Sequence, residues 1–180
     1  MRRAWQVAAF FLLSPVMVRG ADLVWKPLTI QKSIFTEQVG LLDTEREDYA
    51  DQLAAYAGEC ITRENASRQA LAQGRKALAL ALQLSPRNKQ AMVLNFQLAK
   101  GILPEAESSD MGTEALAKLL FARAEQLKKQ SGEENQLLAR IFTQLAAEMD
   151  PKNVDVVYAS EINRLDFGPV DWNALMQPSA

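Results

Sequence analysis

Histidine is absent from all 180 residues, and cysteine occurs once, as Cys60. The missing imidazole removes the usual general base, the Ser-His and Cys-His nucleophile pairs and most zinc sites together. A lone thiol has no partner in the chain, which excludes an internal disulfide framework and leaves only a thiol-linked dimer open. Any catalysis would have to run on carboxylates, lysine or tyrosine. The expectation is therefore a non-catalytic protein with no cofactor and no metal.

Long apolar runs are scarce as well. Arg2 and Arg3 precede a run from Ala4 to Val18 broken only by Gln6, Ser14 and Pro15, and Val18-Arg19-Gly20-Ala21 follows. A basic start, a short apolar middle and small residues at a cleavage site read as a secretory signal peptide, residues 1–20. The run falls short of the roughly 20 apolar residues of a spanning helix, and no later run is longer. No cysteine stands directly after it, where a lipid would be attached. The expectation is an exported chain, periplasmic or extracellular, with no membrane span after cleavage and a size that suits one domain.

Positive charge is also in short supply. Without Arg2, Arg3 and Arg19, 17 of the 20 basic residues remain against 22 acidic ones. A net charge of about −5 argues against nucleic acid as a partner.

What remains is rich in helix formers. Residues 21–43 mix β-branched residues with Pro27 and Gly40 and read as an extended arm. Thr44 and Glu47 have the spacing of a capping box, opening a helix to about Ile61 whose stripe is Tyr49, Leu53, Tyr56, Ala57, Cys60 and Ile61. That stripe assigns both tyrosines to core packing and makes Cys60 a buried thiol. A turn near 62–65 leads to a second helix, about 66–84, apolar around most of its circumference and stopped by Pro86. Asn88 caps a third, Lys89 to Lys100, with Ala91, Leu94 and Leu98 inward and Gly101 at the left-handed C-terminal position.

Residues 101–112 form a loop with one helical turn after Pro104. A fourth helix follows over about 113–130 on the stripe Leu116, Leu120, Ala124 and Leu127. Ser131 and Glu134 suggest a second capping box for a fifth helix, about 133–149, burying Leu137, Leu138, Ile141, Phe142, Leu145, Ala146 and Met149. Pro151 ends it, and Asn153 opens a sixth to about Leu165 with Val154, Val157, Tyr158, Ile162 and Leu165 inward. Residues 168–180 form a tail. Nothing in this order suggests a sheet, so the fold class is all-α.

Superimposing Pro86 on Pro151 places Gly74 on Ala139, Ala81 on Ala146, Leu84 on Met149, Asn88 on Asn153 and Ala91 on Val156. Small residues twelve and five positions before a proline that ends a second helix resemble the tetratricopeptide repeat (TPR), in which two helices cross closely at those points. Gly74 and Ala81 fill the positions ahead of Pro86, and Ala139 and Ala146 fill them ahead of Pro151. The family's first helix carries an aromatic, a leucine-glycine pair and a tyrosine; Gly58, Ile61, Thr62 and Asn65 stand there instead. The resemblance implies a short TPR-like array of antiparallel helical hairpins over 44–167. The fifth helix ends like a second one, so the loop at 101–112 resets the alternation and the array divides into units 44–100 and 113–165.

Other clusters have plain explanations. Asp43, Glu45, Glu47 and Asp48 sit at a helix start, where negative charge offsets the dipole, and Arg123, Lys128 and Lys129 sit late in a helix as solvated cations. The stretch from Asp150 to Asp155 lacks the order of a calcium loop. Trp25 and Trp172 flank the helices and serve either as partner anchors or as covers for the ends of the stack. By resemblance, the function is binding of a protein or peptide partner in a groove. The alternative is a structural component of the cell envelope completed by homo-oligomerisation.

Overall fold

The computed structural model describes residues 24–105 and 111–177. The signal segment 1–20, the helical turn expected after Pro104 and the last three residues of the tail lie outside the described residues. Among those described there are seven α-helices and no strand: α1 Asp43–Arg63, α2 Arg68–Leu84, α3 Lys89–Ala99, α4 Thr113–Leu127, α5 Glu133–Met149, α6 Val154–Phe167 and α7 Trp172–Met176. None of them is long and apolar enough to cross a membrane.

Two helical hairpins dominate. α1 packs along α2 and α4 along α5, while α3 rests on α1 and α2, α6 on α5, and α7 on α2. α2 starts and stops at Arg68 and Leu84, and α5 starts and stops 65 residues later at Glu133 and Met149; α3 and α6 begin at the same offset. The α1/α2 contact is close because Gly74 carries no side chain. A Cβ there would lie 2.7 Å from Ile61 Cδ1 and 3.3 Å from the Ala57 carbonyl oxygen.

The arm is part of the core. Trp25, Leu28, Ile30, Phe35, Val39 and Leu41 are buried in one continuous apolar cluster with the helices. An irregular segment buried this way must satisfy its backbone groups without a ladder, and here polar side chains do it. Asn95 accepts from Trp25 Nε1 and the Leu28 amide, each at 3.1 Å, and donates to the Leu28 carbonyl at 2.9 Å. Gln83, fully buried at the end of α2, accepts from the Ile34 amide at 2.9 Å and donates to the Leu175 carbonyl at 2.9 Å, so one side chain ties both arm and tail to α2. Asn135 Oδ1 accepts from the Gly40 amide at 2.7 Å.

Three local expectations need correction. The Thr44/Glu47 capping box does not form: the N-cap is Leu42, two residues before Thr44, its amide donates to Glu45 at 2.9 Å, and Glu47 turns away to Ser85 and Asn88. The Ser131/Glu134 box is also absent, because the Glu134 carboxylate accepts from the Thr36 amide at 2.8 Å and hydroxyl at 2.9 Å. Arg123 is not a solvated cation; it donates to the Gly40 carbonyl at 2.8 Å and pairs with Glu45 at 2.9 Å. In each case a side chain assigned to its own helix end is used to hold a distant segment.

α4 stops at Leu127, three residues short of the expected end, and Lys128 pairs with Glu125 at 2.7 Å. Between the hairpins, the Tyr49 and Phe142 rings meet at a 45° tilt with 5.1 Å between centres, and Lys76 pairs with Glu148 at 2.6 Å. Cys60 is buried on the α1 stripe. Its Sγ–H donates to Gln73, and burial pushes the thiol above its ordinary pKa.

Candidate interaction surface

The two proline junctions have the same backbone. The Ser85 amide donates to Ala81 at 2.9 Å, Asn88 to Ser85 at 3.0 Å and Met92 to Asn88 at 3.0 Å. At an offset of 65, Asp150 donates to Ala146 at 2.9 Å, Asn153 to Asp150 at 3.1 Å and Val157 to Asn153 at 3.0 Å. Proline removes the amide that would continue the first helix, and asparagine supplies the side-chain oxygen that opens the next. Ala81, Ala139 and Ala146 are fully buried with Gly74 in the helix contacts.

The junctions differ in their side chains. Asn88 is fully buried: its Oδ1 accepts from the Ala91 amide at 2.8 Å, and its Nδ2 donates to Glu47 at 2.9 Å and Asp51 at 2.7 Å. Asn153 accepts from the Val156 amide at 3.4 Å, and its side chain makes no hydrogen bond to a carboxylate among the described residues. The first junction is thus clamped to α1 by two acidic residues, whereas the helix after the second packs mainly on α5.

That difference appears in the helices that follow. α3 buries Ala91, Leu94 and Leu98, whereas α6 buries only Val156. The expected inward set of α6 is therefore wrong. Val154 is 78% exposed, Tyr158 66% and Leu165 69%, Ile162 is at the edge of exposure and Val157 is half-buried. On 3.6 residues per turn, Val154, Leu165, Tyr158 and Ile162 fall within about 80° of arc, and Val156 lies on the opposite side. The periodicity was real, but the stripe faces solvent.

The missed signal lay in the repeat itself. Shifting the inward residues of α3 by 65 gives Val156, Ala159 and Asn163, the phase that α6 adopts. The same shift puts exposed Val93 of α3 onto exposed Tyr158. Residue size misled where the repeat register would have led correctly.

The two tryptophans are turned inward. Trp25 is buried, with Asn95 on its indole nitrogen and Arg75 5.4 Å above its ring. Trp172 is half-buried against α2, with Lys76 Nζ 5.3 Å from its ring centre. Both hold flanking segments against the helices.

No family model, curated protein or solved structure matches the chain.

Proposed function

We propose that this is an exported, non-catalytic interaction module of TPR-like helical hairpins, and that the outward face of α6 receives an apolar helix of a partner protein. The observation that carries this reading is the α6 stripe. Val154, Tyr158, Ile162 and Leu165 recur at helical spacing on one side of a 14-residue helix, and none of them is buried among the described residues. Monomeric proteins rarely leave such contiguous apolar faces uncovered, and a helix laid along another with anchors every three or four residues is a recurring way to cover one. Export rests on residues 1–20 and is checked by the N-terminus of the secreted protein, expected at Ala21.

A photo-crosslinking amino acid at position 158, in the chain expressed in its source cells, tests the docking face. A discrete adduct is expected from 158 and not from Asp48, an exposed position on α1. An adduct with another protein supports the adaptor reading. The second reading, an envelope component completed by its own copies, is favoured by the looser seating of α6 on one helix where α3 rests on two; it predicts an adduct of twice the chain mass. No enrichment at 158 over Asp48 contradicts both.

A further inference from the structure

We infer that the cleft between α5, α6 and the 168–170 turn binds a carboxylate carrying a short apolar group, such as the C-terminal residue of a peptide or a small branched acid. The cleft measures about 340 Å³, and Ala147, Pro151, Val157 and Val170 supply apolar wall. That volume lies at the small end of ligand pockets, where a few polar groups orient a mostly apolar body.

The charge in the cleft is not balanced. Two carboxylates line it, and both have cationic partners: Glu148 pairs with Lys76 at 2.6 Å and accepts from Gln144 at 2.8 Å, and Glu161 pairs with Arg164 at 2.7 Å. The third cation, Arg140, has no carboxylate partner among the described residues. Its Nη2 donates to the Gly168 carbonyl at 2.8 Å and more weakly to the Phe167 carbonyl at 3.4 Å, and its guanidinium lies 5.3 Å from the Phe167 ring centre. Those contacts hold the guanidinium in place without neutralising it.

Two buried donors on the same cleft complete the pattern. Arg140 and Asn163 both line the cleft, and each carries a donor, Arg140 Nε and Asn163 Nδ2, that is buried beneath its wall with no acceptor among the described residues. Buried donors are almost always paired, and an arginine fork with a free N–H matches a carboxylate better than any other common anion of this size. Gly168, at a φ of +76°, forms the turn whose carbonyl fixes Arg140. The residues that carry this inference, Arg140, Val157, Ser160 and Asn163, are none of those in the Val154, Tyr158, Ile162 and Leu165 stripe, so it does not rest on the docking reading.

Titration of the full chain, followed by ¹H–¹⁵N spectra that include the arginine Nε–H and asparagine side-chain signals, tests it. The probes are acetyl-Gly-Gly-Val as the free acid, the same peptide as its C-terminal amide, and isovalerate. At least one acid is expected to move the Arg140 Nε–H, Asn163 Nδ2–H and Gly168 signals saturably, with a Kd near or below ~1 mM. The amide should bind about ten-fold more weakly or not at all, and Arg140→Gln should weaken the acid by at least about ten-fold. Arg63→Gln, which removes an exposed guanidinium on α1 outside the cleft, should change it by less than about three-fold. Tighter binding of the peptide acid than of isovalerate assigns the site to chain termini, and the reverse assigns it to small acids. Equal binding of acid and amide to the unaltered chain, or no movement of these signals with either acid, overturns the inference even if Arg140→Gln fails to fold.

Discussion

Replacing Asn88 with alanine removes two kinds of interaction at once. The first is the helix cap at the Ala91 amide, 2.8 Å long, and such caps are worth about 1 kcal/mol. The second is the donation from Nδ2 to exposed Glu47 and half-buried Asp51, at 2.9 and 2.7 Å, which leaves the two carboxylates without their shared donor when lost. Glu47 retains Ser85, so about 2 kcal/mol is a reasonable loss for this second part, giving about 3 kcal/mol in all. Asn153→Ala loses only a 3.4 Å cap and should cost less than about 1 kcal/mol. With a urea slope of about 2 kcal/mol per molar, helicity at 222 nm should show a midpoint fall of about 1.5 M for Asn88→Ala and less than about 0.5 M for Asn153→Ala.

Aspartate separates the two contributions further. At position 88 it keeps the cap oxygen but sets a third carboxylate against Glu47 and Asp51, so it should be at least as damaging as alanine. At position 153 it keeps the cap and gains from the helix dipole, so it should be nearly silent. Equal effects at the two positions, or a tolerated Asn88→Asp, would refute the clamp.

Gly74→Ala should destabilise by about 1–2 kcal/mol, because overpacking against buried Ile61 outweighs the gain in helix propensity; a higher melting temperature would show that α1 and α2 can separate. Gln83→Leu keeps the volume but strands the Ile34 amide and the Leu175 carbonyl, and should cost about 2–4 kcal/mol; hydrogen exchange should speed up at Ile34 and across α7 before the helical core changes. Alkaline stability follows from Tyr49 and Tyr56, whose phenols burial pushes above the ordinary value of 10.0. Raised folded-state values mean the unfolded chain gives up these protons first. Their contribution is therefore complete below about pH 10 and falls by up to about 1.4 kcal/mol per pH unit per group above it. The melting temperature should drop between about pH 10 and 12, and Tyr56→Phe should flatten that drop.

The helices were legible in the sequence because their punctuation is chemical. Pro86 and Pro151 cannot continue a helix, Asn88 and Asn153 can open one, and the repeat at 65 residues appears in the bounds of α2 and α5 as well as in the junction backbone. The arm was legible as irregular chain, but its place was not. Asn95, Gln83, Arg123 and Glu134 reach segments tens of residues away, and no local spacing marks a polar side chain for long-range use.

α6 failed for a different reason. Periodicity finds a stripe but not the direction it faces, and it is usually assigned to the core because most apolar stripes are buried. Here the largest residues of α6 face out, and the small ones, Val156 and Ala159, occupy the α3-equivalent phase. This mismatch between residue size and repeat register is what underlies the proposed docking face. The unpaired Arg140 Nε and Asn163 Nδ2 were equally hidden, since their want of acceptors among the described residues exists only once α5, α6 and the Gly168 turn are in place.

The most direct test of the α6 docking face is the affinity of the partner captured at position 158 for the unaltered chain and for Leu165→Glu. Burying one leucine is worth about 1.5–3 kcal/mol, so the variant should bind at least about ten-fold more weakly while its urea midpoint stays unchanged, Leu165 being exposed in the free chain. An unchanged affinity with an unchanged midpoint would contradict the account.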